Sequence, residues 1–149
     1  MPDTPAAPDQ TIVVGVDGSE SSVGALRWAC DLASSTGSAV EVVTTWHWPM
    51  SLGAAIPIPT DYDPAADAEK MAHEAIAPVT KEFPAVAVRT RVVEGNPALA
   101  LVEASKHAAL LVVGSRGHAE FAGLLLGSVS QHCAAHAASP VLIYRHRTG

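Results

Sequence analysis

Runs of apolar, β-branched residues recur along the chain and predict five strands. The runs at 11–16 (TIVVGV) and 110–113 (LLVV) are continuous, which is typical of strands buried on both faces. AVEVVTTW at 39–46, VAVRTRVV at 86–93 and VLIY at 141–144 are also rich in strand-forming residues. The 86–93 run alternates, so we expect one of its faces to be wetter.

Helical periodicity and helix-start residues predict four helices between these strands. The first spans about 20–35, with its core face predicted to contain Val23, Leu26, Ala29, Cys30 and Ala33. The second begins at Asp63-Pro64 and ends before Pro84. The third runs from Pro97 to about 107, and the fourth begins at Gly127.

The resulting order, β-α-β-α-β-α-β-α-β, predicts an α/β fold. We expect a single doubly wound, five-stranded parallel sheet with helices on both faces. If the strand order is 3-2-1-4-5, the winding reverses between the first and fourth strands, where such sheets bind ligands. Asp17 and Gly114, which end those two strands, would then meet at that point.

Length and composition indicate one globular domain, predicted to span 11–147. The chain has 149 residues, of which 48% are hydrophobic. Residues 1–10 (MPDTPAAPDQ) predict a disordered arm without signal-peptide character, and the proline-containing 47–63 segment predicts a long loop. The net charge of −6 argues against binding of nucleic acid or an anionic membrane surface.

Two further features indicate a cytoplasmic protein. No apolar run approaches the roughly 20 residues that a membrane span needs. Cys30 and Cys133 lie far apart in apolar helical segments, which favours reduced thiols over a disulfide.

The stretch at 114–128, GSRGHAEFAGLLLGS, is poor material for a packed helix, since each internal glycine costs about 1 kcal/mol against alanine. Glycines let a ligand approach main-chain N–H groups, and Gly127-Ser128 opens a helix whose free N–H groups favour anions. Ser128 and Gln131 match a capping box, and Arg116 is a possible charge partner for phosphate. The alternative is that these glycines only form turns. Neither a Walker loop nor a dinucleotide fingerprint is present.

The same stretch resembles the ATP-binding signature of the universal stress proteins. Gly114, Gly117, Gly127 and Ser128 match G-x-x-G, nine residues, then G-[S/T] with the full spacing. IVVGVDGSESS, GNPALALVEAS and SPVLIYRH resemble other segments of that family, so the resemblance covers 11–146. It implies the adenine nucleotide alpha hydrolase-like fold and an ATP-binding regulatory module of the stress response, without fast catalysis.

The resemblance also implies roles for particular residues. Asp17 would lie near the adenosine of ATP, and Thr45 would offer its backbone to the adenine. The phosphates, with or without Mg²⁺, would be held by Gly114, Gly117, Gly127, Ser128, Val129 and Ser130, and Arg116, from its place in the same stretch, would be their charge partner. A homodimer would form through Val141–Tyr144 as an edge strand.

Two other functions stay open. The chain could be an enzyme that adenylates a substrate or slowly hydrolyses ATP, although the glycine stretch supplies no metal-holding acids. It could instead be a dimeric interaction scaffold that does not depend on nucleotide.

Two side-chain groups have plainer interpretations. His132 and His136 are four residues apart and would suit a metal, but no third ligand is visible, so a surface pair is favoured. Trp46, Trp48 and Tyr62 could form a lid or partner surface, but local packing is favoured.

Overall fold

The computed structural model describes residues 10–48, 61–116 and 126–146. Five strands and four helices alternate along these residues. They are β1 (Thr11–Gly15), α1 (Glu20–Thr36), β2 (Ala39–Trp46), α2 (Pro64–Glu82), β3 (Val88–Glu94), α3 (Pro97–Ser105), β4 (Leu110–Gly114), α4 (Ser128–His136) and β5 (Val141–Tyr144). The predicted arm at 1–10, apart from its last residue, most of the predicted 47–63 loop and Gly117 lie outside the described residues.

The strands form one parallel sheet in the order β3-β2-β1-β4-β5. This confirms the predicted fold class and strand order. Val14 of β1 pairs with Val42 of β2 on one side and with Val112 of β4 on the other. The carboxyl ends of β1 and β4 therefore lie side by side at the point where the winding reverses.

Both faces of the central strands β1 and β4 are buried, which explains their continuous apolar runs. Ile12 and Val14 belong to the core beneath α1 and α2, together with Leu26. Val13 points the other way, into the core formed with α3 and α4. On α1 the predicted core residues are fully buried except Val23, which is partly buried.

Side-chain caps start the first three helices at the predicted positions. Ser19 accepts from the N–H of Ser22 (3.2 Å) at the start of α1. Asp63 and Asn96 make the equivalent bonds at the starts of α2 and α3 (3.0 and 3.2 Å).

The fourth helix corrects the predicted capping box. Gly127 is the N-cap, and Ser128 is already the first helical residue. The Gln131 side-chain amide donates to the carbonyl of Leu126 (2.9 Å) instead of accepting from a cap N–H. An amide can donate as well as accept, so the sequence pattern does not fix which bond forms.

Element ends differ from prediction where local turns use the residues. Val86 donates its N–H to Phe83 (3.1 Å) in a turn, so β3 begins at Val88. Helix α3 ends at Ser105 because each of the N–H groups that follow donates to the carbonyl three residues earlier, as in a 3₁₀ turn. Strand β1 ends at Gly15, one residue before the predicted end.

The two edges of the sheet have opposite character. On β3, the exposed Arg89 and Arg91 side chains lie 3.5 and 3.6 Å from the Glu41 carboxylate on β2. On β5, the four residues Val141–Tyr144 are apolar or aromatic and only partly buried. Charges on an edge strand discourage pairing with another chain, so the β5 edge is the better suited of the two for such pairing.

The two cysteines are free and buried, as predicted. Burial raises the pKa of Cys30 and of Cys133 to about 11, so both thiols stay protonated at neutral pH. Within the described ranges, no helix combines the length and apolar character needed to cross a membrane.

Candidate functional site

A cleft opens at the carboxyl ends of the strands, where β1 and β4 are neighbours. It contains about 630 Å³ of empty space, a volume that includes open solvent. Its lining comes from five parts of the chain: Gly15, Val16, Asp17 and Ser22; Val43 and Thr45; Pro97 and Leu101; Val113, Gly114 and Arg116; Gly127, Val129 and Ser130.

The cleft brings most of the predicted site residues together. Those that line it are Asp17, Thr45, Gly114, Arg116, Gly127, Val129 and Ser130. Ser128 is exposed at the start of α4 and does not line the cleft. Gly117 lies outside the described residues. Parallel strand pairing brings the β1–α1 turn and the start of α4 to one site although they are far apart in sequence.

The turn between β1 and α1 fixes the position of Asp17. Its carboxylate Oδ1 accepts from the N–H of Ser19 (2.9 Å), and its own N–H donates to the hydroxyl of Ser22 (3.2 Å). Gly18 between them has a φ of +86°, a conformation that glycine adopts without strain. The aspartate is therefore held at the rim of the cleft by the same turn that starts α1.

The walls of the cleft are largely apolar, formed by Val16, Val43, Leu101 and Val113. Leu101 approaches so closely that a Cβ added at Gly15 would lie 2.7 Å from its Cδ1 atom. Glycine at position 15 thus lets α3 pack tightly against β1. An apolar slot of this kind suits the apolar part of a small ligand.

The charged groups of the cleft lie at the ends of neighbouring strands. Among the described lining residues they are one carboxylate, Asp17, and one guanidinium, Arg116. The start of α4 reaches the same cleft through Gly127 and Val129. Because a helix N-terminus presents N–H groups and the positive end of its dipole, this side of the cleft can bind an anion.

Several lining residues were not predicted from the sequence. Val43 lies two residues before Thr45, so strand alternation puts both on one face and could have identified it. Ser22 and Leu101 carry no comparable signal, because an ordinary capped helix and an ordinary helix core would have the same residues. Pro97 was recognised only as a helix start.

The aromatic and histidine groups lie outside the cleft lining. Trp46 and Trp48 pack edge to face with ring centroids 5.8 Å apart, and Tyr62 lies 6.2 Å from Trp48. The rings of His132 and His136 are 4.5 Å apart. Over the described parts of the chain, no group of three or more His, Cys, Asp or Glu is placed to hold a metal.

The fold and the cleft at its switch point are those of the doubly wound α/β class, in which such a crevice is the usual place for a small ligand. The family comparison is more specific: the model of the universal stress protein family matches residues 10–145. The chain therefore belongs to the universal stress protein family.

Curated relatives agree with this assignment. A universal stress protein of Mycolicibacterium smegmatis is 38% identical over 137 residues, covering 91% of this chain and 46% of the relative. One from Mycobacterium tuberculosis is 36% identical over 151 residues, covering 97% of this chain and 47% of the relative. The chain spans about half the length of the curated relatives it matches.

Solved structures show the same fold. A universal stress protein in complex with cAMP is 32% identical, with a TM-score of 0.70 and coverage of 93% of this chain and 98% of the other. The universal stress protein from Archaeoglobus fulgidus in complex with dAMP is 24% identical, with a TM-score of 0.67 and coverage of 91% and 97%. The second likeness concerns the fold alone.

Gly114 lines the cleft, but helix α1 supplies a separate reason for glycine there. An added Cβ would contact the Ser21 hydroxyl and lie 2.9 Å from the Ser21 carbonyl carbon. We therefore expect Gly114→Ala to lower the free energy of unfolding by about 1–3 kcal/mol, because α1 and β4 must move apart. Urea unfolding without ligand measures this effect.

A double-mutant cycle with Ser21→Gly provides the control. Removing the Ser21 side chain takes away part of the clash, so Gly114→Ala should cost less in that background. An equal loss in both backgrounds would contradict the packing explanation.

Proposed function

We propose that this chain is an ATP-binding regulatory protein of the stress response, in which the nucleotide acts as a ligand and no fast chemistry occurs. The observation that carries the proposal is the cleft itself. It joins an apolar slot, the carboxylate of Asp17, the guanidinium of Arg116 and the start of α4 in one site. These are the features that a nucleoside with an attached phosphate requires.

In this proposal the adenosine occupies the slot between the valine walls and Asp17. The Asp17 carboxylate would accept from ribose or base, and the Thr45 backbone would face the adenine. The phosphates would be held by Arg116 and by the N–H groups at the start of α4. That group of phosphate-binding residues is completed by Gly114, Gly117, Gly127, Ser128, Val129 and Ser130.

A regulatory role fits the polar groups better than a catalytic one. The described lining contains one carboxylate, and its Oδ1 already accepts from Ser19. Phosphoryl transfer generally uses acids that hold metal ions and a residue that positions the nucleophile.

The alternative, an adenylating enzyme, would release AMP and pyrophosphate when supplied with ATP and a substrate. Mg²⁺ would enter this site only with the nucleotide phosphates.

Cyclic AMP is a second candidate ligand. A single guanidinium lines the described part of the cleft, and cAMP carries one negative charge whereas ATP carries several. The relative that is 32% identical was solved in complex with cAMP. Comparing the two ligands in one titration decides between a triphosphate site and a monophosphate site.

The proposal is tested by titrating the purified protein with ATP, AMP and cAMP, with and without Mg²⁺. We expect ATP to stabilise the fold, by about 2.7 kcal/mol at a hundredfold excess over its Kd. Gly127→Val should abolish this binding because its side chain would enter the phosphate region. The φ of −76° and ψ of 171° at Gly127 are ordinary for valine, so the backbone conformation at this position does not require glycine.

Gly127→Ala is the graded control and should weaken binding less than valine. Circular dichroism and the unfolding transition without ligand show whether each variant is folded. A wild-type protein that none of these nucleotides stabilises would refute the proposal and favour the nucleotide-independent scaffold. A folded Gly127→Val variant with normal ATP affinity would remove Gly127 from the phosphate site.

Asp17→Ala tests the orientation of the nucleotide. Because Asp17 is assigned to the adenosine end, this variant should lose about tenfold or more in ATP affinity while tripolyphosphate affinity changes little. Asp17→Asn is the conservative comparison, since it retains an acceptor oxygen for the Ser19 N–H. If the variant lost equal affinity for ATP and for tripolyphosphate, Asp17 would not lie at the adenosine end of the nucleotide.

We also infer that two copies of the chain associate through β5. The support is the position of this apolar strand at the edge of the sheet, with all four side chains only partly buried. Two copies related by a two-fold axis would pair these strands antiparallel and cover both edges.

A cytoplasmic location agrees with the two free, buried thiols, and cell fractionation would test it.

Ile143→Pro tests the dimer without altering the bonds to β4. The carbonyl of Pro140 accepts a hydrogen bond from β4, and the carbonyl of Tyr144 accepts one from the residue that follows β4. Because alternate residues of a strand bond to the same neighbouring strand, the N–H and carbonyl of Ile143 face away from β4. Proline removes the outward N–H and should convert a dimer into a monomer in sedimentation analysis. Ile143→Ala loses the side chain but keeps the N–H, and it should remain dimeric. If both variants keep the wild-type mass, β5 is not the interface.

A further inference from the structure

The two ends of the 116–126 segment are joined by hydrogen bonds to one carbonyl group. The Ser115 carbonyl accepts from the N–H of Gly127 (2.6 Å) and from the hydroxyl of Ser130 (3.0 Å). The Ser130 hydroxyl also lies 3.0 Å from the carbonyl of Gly127. We call these three hydrogen bonds the Ser115–Ser130 clamp.

The clamp is isolated from water. Ser130 is 1% exposed and Ser115 is 4% exposed. Without the Ser130 hydroxyl, the Ser115 carbonyl would keep only the N–H of Gly127, so one of the two hydrogen bonds that tie the start of α4 to Ser115 would be lost and the backbone there is expected to shift.

The clamp determines where the proposed phosphate-binding groups lie. Arg116 follows Ser115 directly, while Gly127 and Val129 belong to the start of α4 and line the same cleft. Ser115 is itself fixed, because its N–H donates to the carbonyl of Tyr144 at the end of β5 (2.7 Å). The backbone of Arg116 and the helix start are thus held together through one residue.

We propose that the Ser130 hydroxyl is a positioning group for phosphate binding, and this proposal rests on the proposed nucleotide function. The hydroxyl has one proton, which its bonds to the Ser115 and Gly127 carbonyls already use. It acts on the ligand through the backbone: it holds the start of α4 against Ser115 so that Arg116 and the helix N–H groups face the same phosphate.

Ser130→Ala is the variant that tests the positioning role. We expect its affinity for ATP to fall by about tenfold while its affinity for adenosine changes less than about twofold, because only the phosphate groups depend on the clamp. Isothermal titration calorimetry with both ligands measures the difference. A general loss of stability would lower the affinities for ATP and for adenosine to a similar degree.

Ser105→Ala is the matched control. Ser105 is also 1% exposed, donates to the Val102 carbonyl (2.6 Å) and accepts from the N–H of Ala138 (2.9 Å), but it does not line the cleft. This variant should lose a similar amount of stability and keep wild-type affinity for both ligands. Ser130→Cys keeps a weak donor at nearly the same volume, so its ATP affinity should lie between those of wild type and Ser130→Ala. It also carries the test if alanine prevents folding.

The outcomes separate this inference from the function on which it rests. A wild-type protein that binds neither ATP nor adenosine overturns both. Normal ATP affinity in folded Ser130→Ala overturns the positioning role alone. Equal losses for ATP and adenosine, or an equal ATP loss in Ser105→Ala, would show that Ser130 contributes only to stability.

Discussion

The parallel pairing of β1 with β4 is the interaction on which the cleft depends. It sets Ile12 beside Leu110 and Val14 beside Val112, and so brings the ends of two strands that are distant in sequence to one place. Asp17 follows the first of these strands and Arg116 the second. A shift in this register would change the distance between these two residues, since each residue along a strand advances the chain by about 3.3 Å.

Close packing of helices on the strand ends shapes the same cleft. Leu101 of α3 lies over Gly15, and Ser21 of α1 lies over Gly114, both within the space that a side chain would need. These two glycines are therefore explained by helix–sheet contacts, whether or not a ligand is bound. Helices α1 and α3 both pack closely on the strand ends, and the cleft is the space left between them.

Much of the fold follows from the sequence because its signals are local. Continuous apolar runs identified β1 and β4, and Asp63-Pro64 marked the start of α2. The site was harder to predict because its residues come together through tertiary packing. Ser22 and Leu101 resemble ordinary helix residues, and the Gln131 amide found a different partner from the one that its spacing suggested.

The unequal edges of the sheet limit how far copies of this chain can assemble. The β3 edge carries Arg89 and Arg91 around Glu41, whereas the β5 edge is apolar. If β5 pairs with β5, each chain covers its apolar edge and presents the charged one outward. Growth then stops at two copies, so the arrangement would form a closed pair and resist extension into a fibre.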